Sequence, residues 1–469
     1  MTPVVFWFRR DLRLRDHEAL TYATVLGNRD VLGVFVVDPR LTAPAGPTRV
    51  DFVRRSLASL STSMGGALVV RAGDPAAELL KVAREVGTHH VVATADFAPY
   101  GRARDEHVSA ALSAAGIECH FVGSPYLVAP GTVRSDAGQA LKVFTAFRRR
   151  WEPLAAEQVP LAAVETEWRS AESVDLEPAF AGASRARPDY FGDLETTVAP
   201  HGPLAGEDAA REALALFAPK VSRYGEQRND PDADDTSRLS PFLKIGALHP
   251  RTVAEACRGT GSGEATFLAE LGWREFYADV LFHHPNSVRE VLQPSLATLR
   301  CDTDASARKR FETWARGETG FPLVDAGMRQ LREEGWMHNR VRMLAASFLV
   351  KHLHLDWRWG ARWFMWNLAD GDVASNQHGW QWTAGTGTDA APFHRIFNPT
   401  LQAERFDPEG TYIRRYVPEL ATLDAPACRL PGGGSGLFAA ENYAPAMIDL
   451  DVERKEALAR FAAARETVA

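Results

Sequence analysis

Four short apolar runs mark the first hundred residues, at 3–8, 31–37, 67–70 and 91–93, each too short for a buried helix. Between them lie stretches with helical spacing of apolar residues, such as 51–61 and 76–86. Apolar strands alternating with helices demand a parallel sheet, because each parallel pair needs a crossover and a helix supplies it. Residues 1–135 are therefore expected to form a Rossmann-like α/β domain. Residues 136–205 are rich in Ala, Pro, Gly and Glu with weak periodicity, which predicts a connector. Beyond it the apolar pattern takes a helical period at 207–217, 267–282, 323–335, 339–354 and 361–368, with no convincing strand. Residues 206–469 are expected to form an all-α domain.

No run of 18 apolar residues occurs, so no transmembrane helix is expected, and the first residues carry no charged n-region of a signal peptide. Cys119, Cys257, Cys301 and Cys428 are far apart and make no CxxC, which argues against a disulfide framework or a zinc site and fits a reducing cytoplasm. The net charge of −7 is unevenly spread. Residues 1–150 hold 19 Lys+Arg against 14 Asp+Glu, residues 151–236 hold 7 against 18, and residues 237–469 hold 27 against 28. The acidity sits in the middle, so the C-terminal part can carry a local basic face for phosphate contacts.

Several strings carry possible chemistry. Thr236-Ser237-Arg238-Leu239-Ser240-Pro241 opens a helix, and such a start is either a plain N-cap or a phosphate cradle of hydroxyls and free N–H groups. In Glu270-Leu271-Gly272-Trp273-Arg274-Glu275-Phe276-Tyr277, helical spacing puts Glu270, Trp273 and Tyr277 on one face: an amphipathic helix with a buried Trp, or a carboxyl and an indole able to bond and stack on a base. Asn339 and Met343, four apart, project from one helix face, as a helix start with a core Met or as an amide and a soft thioether beside a ligand. Asp370, Asp372 and Asn376 lie at a loop and helix start. Two acids invite a metal, but no His or further carboxylate completes a set, so no metal is expected there. The tryptophans at 273, 314, 336, 357, 359, 363, 366, 380 and 382 are mostly core by the ordinary reading.

Together, Gly335-Trp336-Met337-His338-Asn339-Arg340-Val341-Arg342-Met343, Asp370-Gly371-Asp372, Asn376 and Gly379-Trp380-Gln381-Trp382 closely resemble the cryptochrome/photolyase family, specifically the class I cyclobutane pyrimidine dimer (CPD) photolyases. The resemblance runs from Phe6 to Tyr443. It implies light-driven repair of pyrimidine dimers in UV-damaged DNA by electron transfer from FAD, active as its reduced anion. It implies FAD contacts by Tyr224, Thr236, Ser237, Arg238, Leu239, Ser240, Phe267, Arg274, Arg342, Asp370, Asp372 and Asn376. Glu270, Trp273, Asn339, Met343 and Trp382 would touch the dimer, and Arg228, Tyr277 and Arg340 would touch DNA. Asn339 and Met343 match the CPD branch where the (6-4) branch has histidines. Asn376, and a chain that ends soon after Asp449, disfavour a signalling cryptochrome. Trp380 and Trp357 match the first two members of an electron-transfer chain, but the third position falls near Asp304, and Trp359 is the replacement expected here. Asp38, Arg49, Asp96 and Lys244 match an antenna pocket for 8-hydroxy-deazaflavin, with methenyltetrahydrofolate or no antenna as alternatives. No obligate protein partner and no membrane are implied, and a cytoplasmic monomer is expected.

Overall fold

A computed structural model of the chain describes residues 2–389, 395–434, 440 and 442–466. It forms two compact units whose limits do not follow a simple division at 135 and 205. One comprises residues 1–187, 203–225 and 237–285; the other comprises 188–202, 226–236 and 286–469.

The first unit is built on a wholly parallel sheet. Strands β1 (Val4–Phe8), β2 (Asp30–Val37), β3 (Val69–Ala72), β4 (His90–Ala93) and β5 (Glu118–Phe121) lie in the order β3-β2-β1-β4-β5. Every residue of β1 is buried, as expected for a central strand covered on both faces. Two strands go beyond the sequence reading. β5 carries Glu118 and His120 and is only partly buried. β6 (Glu167–Arg169) emerges from the expected connector and pairs with the first residues of β2, while β3 pairs with its last four. The Phe144–Ala156 helix also lies in that segment. The strand order reverses between β1 and β4, and in open parallel sheets ligands bind beyond the strand C-termini at such a point.

The second unit is helical, and among the described residues it has no strand, only an isolated bridge between Asp302 and Leu355. Its helices include Ala305–Arg316, Pro322–Glu334, Asn339–Ser347, Trp357–Asn367, Val373–Ala384 and Leu450–Glu466. Several starts are set by side chains that accept a backbone N–H: Asp304 from Ala307, His338 from Arg340, Asp356 from Arg358 and Asp372 from Ser375. The periodicity at 339–354 is one helix only as far as Ser347. Phe348–His352 then widens into a π turn closed by Leu353 N–H on Phe348 O at 3.0 Å. The core of this unit gathers Phe311, Trp314, Trp357, Trp363, Phe364, Trp366 and Trp380.

Candidate functional site

In the helical unit two turns are zipped together. Ala369 N–H donates to Gly335 O at 2.8 Å, joining the segment before the Asn339–Ser347 helix to the one before the Val373–Ala384 helix. Arg342 reinforces this joint. Its two Nη atoms meet the Asp370 carboxylate at 3.2 and 2.8 Å, and its Nε donates to Met337 O at 2.7 Å. The Asp370 side chain is 3% exposed and that of Arg342 24%, so the pair is sunk on the acid side and open on the cation side. Two parallel N–H···O bonds fix the guanidinium plane as well as its position.

Asn339 is exposed, and one turn on its amide lies 4.0 Å from the Met343 sulfur. The helix face predicted for them is therefore real. Asp372 caps the Val373–Ala384 helix through Ser375 N–H at 3.1 Å, and Asn376 N–H bonds Asp372 O at 2.8 Å. The Asn376 side-chain amide reaches Ala361 O at 3.0 Å, tying this helix to Trp357–Asn367. Trp380 lies one turn beyond Asn376 and is buried edge-on to Phe364, with ring centroids 5.0 Å apart. A Cβ on Gly360 would come within 2.1 Å of that indole, so the two helices can approach here only because residue 360 has no side chain. Trp382, two residues on, turns to a different face and is partly exposed.

The expected third tryptophan position has a structural explanation. Asp304 is the N-cap of Ala305–Arg316, a place that an oxygen-bearing side chain fills and an indole does not. A continuous file of rings leads elsewhere. Trp380 meets Trp314 (centroids 6.2 Å), Trp314 meets Phe311 (5.8 Å), Phe311 meets Trp359 (5.7 Å), and Trp359 stacks on Tyr190 (5.2 Å, 21°). Trp359 and Tyr190 are both partly exposed. Trp357 is buried, with the Arg358 guanidinium 5.2 Å from its ring centre. Trp314 and Tyr190 were not singled out from the sequence.

Arg340 belongs to a basic cluster. Its guanidinium bonds the Asn229 side chain and lies 4.6 Å over Phe406, whose ring also takes Arg405 at 5.1 Å. Burial, then the neighbouring charges of Arg228, Arg395 and Arg405, push its pKa down. Four like charges gathered in this way are a standing demand for an anion. Arg395 and Arg405 escaped the sequence reading; the signal available was an Arg–Phe alternation near Phe397 and Phe406.

In the α/β unit the Ser262–His283 helix carries Phe267, Glu270, Trp273, Arg274 and Tyr277. Phe267 is buried against Phe217 and Tyr224. Trp273 is half-buried, but one of its faces is covered by Phe144 in a 3.8 Å stack, and Tyr277 lies beside it. Arg274, expected beside a flavin, makes contacts within its own unit. It donates to Pro125 O and Leu243 O at 3.3 Å and lies 4.5 Å over Tyr126, which binds the helix to the loop after β5. Next to it, and missed from the sequence, Glu275 is fully buried. It accepts from Leu127 N, Val128 N and Trp151 Nε1, and burial pushes its carboxyl up to about 7. Ser237, Arg238 and Leu239 form a tight turn, with Leu239 N–H 3.4 Å from Ser237 Oγ, before Ser240 starts its short helix; Thr236 belongs to the other unit.

Two of the expected antenna residues follow strands at the C-terminal end of the sheet. Asp38 follows β2 and takes the Tyr100 hydroxyl, whose pKa burial raises. Asp96 follows β4 and pairs with Arg104 at 3.2 Å and Arg10 at 3.9 Å. A cleft at the sheet's switch point is lined by Arg9, Arg10, Thr94, Ala95, Asp96 and Pro125. The Ser240–Ile245 helix with Lys244 docks onto the turn after β1 through Leu12 N–H on Ile245 O at 3.1 Å. Gly246 makes this possible: at φ +68° a Cβ would fall 2.0 Å from Arg10 O. Arg49 is half-buried on the Pro47–Ser63 helix.

Known proteins match this arrangement over its whole length. Residues 4–165 match the DNA photolyase family model, and residues 267–463 match that of the FAD binding domain of DNA photolyase. The deoxyribodipyrimidine photo-lyase of Halobacterium salinarum is 39% identical, covering 98% of this chain and 99% of the relative. The chain belongs to the DNA photolyase family. A solved class III photolyase from Agrobacterium tumefaciens superposes with a TM-score of 0.89 at 34% identity, over 99% of this photolyase-family chain and 98% of its own. An archaeal photolyase from Sulfolobus tokodaii, solved with two FAD molecules, gives 0.82 at 27%, over 98% and 100%. The family's α/β plus helical architecture is the one described above, and among the described residues no helix is long and apolar enough to cross a membrane.

The family's FAD-binding domain makes FAD the implied cofactor, and the helical unit's residues fit it. A flavin ring edge alternates donors and acceptors. The Arg342 guanidinium, partly open and fixed in plane, offers donors, and the Asn376 amide and Asp372 carboxylate stand one turn apart on the neighbouring helix start.

Proposed function

We propose that the chain is a light-dependent DNA repair enzyme that splits cyclobutane pyrimidine dimers. The observation that carries this reading is the near full-length likeness to proteins named deoxyribodipyrimidine photo-lyase, joined to an exposed Asn339 beside Met343 on a single helix face. FAD, bound and reduced, supplies the light-driven electron. The chain's own residues do the rest. Arg342, held by Asp370, presents a fixed cation; Asn376 presents an amide one turn before buried Trp380. Photolyases are among the enzymes known to take their target base out of the stack. Trp382 gives the extruded bases a partly exposed indole, a contact worth ~1–3 kcal/mol per base. Asn339 offers hydrogen bonds to base edges, and Met343 a soft contact. The cluster of Arg228, Arg340, Arg395 and Arg405 receives DNA phosphates.

The antenna reading is 8-hydroxy-deazaflavin, held by Asp38, Arg49, Asp96 and Lys244. Mass spectrometry of chromophore released from protein made in a deazaflavin-producing host tests it, and recovery of folate or of FAD alone refutes it. The repair reading is tested by illuminating the reduced, FAD-loaded protein with CPD-containing and with (6-4)-containing oligonucleotides. CPD DNA should be restored in blue or near-UV light and not in darkness. Binding of CPD DNA without repair defeats the enzyme reading, and repair of the (6-4) lesion instead defeats the assignment of Asn339 and Met343.

A further inference from the structure

We infer that His90, Glu118 and His120 form a binding site for a divalent transition metal at the edge of the parallel sheet. His90 and Glu118 are register partners on β4 and β5, and His120 lies two residues further along β5. Strand alternation puts all three on one face. The intervening Val91 and Cys119 turn the other way, into the core.

The three donor atoms meet at one point. His90 Nδ1 and His120 Nε2 are 3.3 Å apart, and Glu118 Oε2 lies 3.6 Å from the first and 3.5 Å from the second. A triangle with those sides has a circumradius of about 2.0 Å. Ligand atoms at the ~2.0–2.1 Å usual for zinc–imidazole and zinc–carboxylate bonds stand about 3.3–3.4 Å apart in a tetrahedron, so the spacing of these three donors is that of a metal's ligand set. Without a metal the two facing nitrogens can form one N–H···N bond, which leaves the Glu118 carboxylate to pair with it from the side.

The surroundings suit a metal. The side chains of His90, His120 and Glu118 are 34%, 23% and 70% exposed, so the ion has an entry path and its fourth position faces water. His120 Nδ1 lies 3.4 Å from the Tyr22 hydroxyl on the Glu18–Leu26 helix. If that nitrogen donates its proton to the hydroxyl oxygen, Nε2 is left as the acceptor a metal needs, as an outer partner does for most metal-bound histidines. Two nitrogens and one carboxylate select borderline cations such as Zn²⁺, Ni²⁺ or Cu²⁺ over Mg²⁺ or Ca²⁺. The ion would clip β5, which ends the β3-β2-β1-β4-β5 order, onto β4.

Titration of the full chain with zinc chloride, in a buffer that does not bind metal, tests the site. The wild type is expected to bind one equivalent more than the His90→Ala/His120→Ala double variant, and its unfolding temperature should rise with zinc where the variant's does not. Cobalt(II) should give visible absorption of a four-coordinate site in the wild type only. Tyr22→Phe should keep the equivalent and weaken it by ~10-fold, the lower end for loss of an outer partner. If the double variant misfolds, Glu118→Gln, which removes the anion and keeps the shape, makes the same comparison. Equal zinc stoichiometry and affinity in the wild type and the variant compared with it overturns the site. None of these readouts depends on repair activity.

Discussion

The joint between Arg342 and Asp370 is the most exacting test of how the helical unit is assembled. Removing one member of a sunken pair costs more than the pair itself contributes, because the survivor stays desolvated. Asp370 is 3% exposed and Arg342 24%, so Arg342→Ala leaves the buried carboxylate without its two-pronged partner and also removes the bond to Met337 O. The expected loss is ~3 kcal/mol, the low end of the ~3–5 kcal/mol for breaking buried pairs, because the cation side is partly open. That is about two decades in the folding equilibrium. Asp370→Asn keeps the shape and removes the charge, and should cost less. The double variant Arg342→Ala/Asp370→Asn should then lose clearly less than the sum of the single losses, with a coupling of ~1–3 kcal/mol. Urea unfolding followed by tryptophan emission gives the four free energies, and the absorbance ratio of flavin to protein after purification gives cofactor retention. Losses that add within ~0.5 kcal/mol would refute the reasoning, since the pair would then not act as a unit.

Other residues make independent predictions. Trp359→Phe should strongly slow photoreduction of oxidised FAD and leave repair by chemically reduced enzyme intact, with Trp314→Phe behaving alike; photoreduction at the wild-type rate in both, while Trp380→Phe is impaired, would mean the electron exits elsewhere. Arg340→Ala and Arg405→Ala should each weaken binding to any DNA and flatten the slope of log affinity against log salt by about one unit, measured by fluorescence anisotropy at several salt concentrations. Trp382→Ala should lose lesion preference instead, with FAD still bound, and a like effect from Arg340→Ala would show that the two roles are misassigned. His352 is buried beside Lys351 and His354, and its pKa is lowered from 6.5 to about 4, first by burial. The unfolded chain therefore takes up the proton first, so stability present above pH 6.5 is lost as pH falls towards 4, by up to ~3 kcal/mol. His352→Leu should flatten that part of the stability profile, and an unchanged slope would assign it to other groups.

What could be read from the sequence follows from how locally each feature is encoded. β1, β2 and β4 are apolar runs because central strands are buried on both faces, and a run of that kind is visible without knowing its neighbours. β5 reads Glu-Cys-His-Phe and β6 reads Glu-Trp-Arg; edge strands carry polar residues on their open side, and that erases the pattern. The Asn339/Met343 face was legible for the same local reason, since helix spacing alone aligns the two side chains; the Asp370–Trp382 segment was read through its family resemblance. Arg395, Arg405, Tyr190 and Trp314 were not, because each acquires its role from a residue distant in sequence. The gap at Asp304 shows the asymmetry most clearly. A missing tryptophan can be seen in a sequence as an empty position, and here the N-cap requirement explains it. The ring that continues the file, Tyr190, lies in the segment first read as connector, and only the folded chain brings it onto Trp359. Trp359 could be named from the sequence as a replacement, but the rings between it and Trp380 are neighbours only in space.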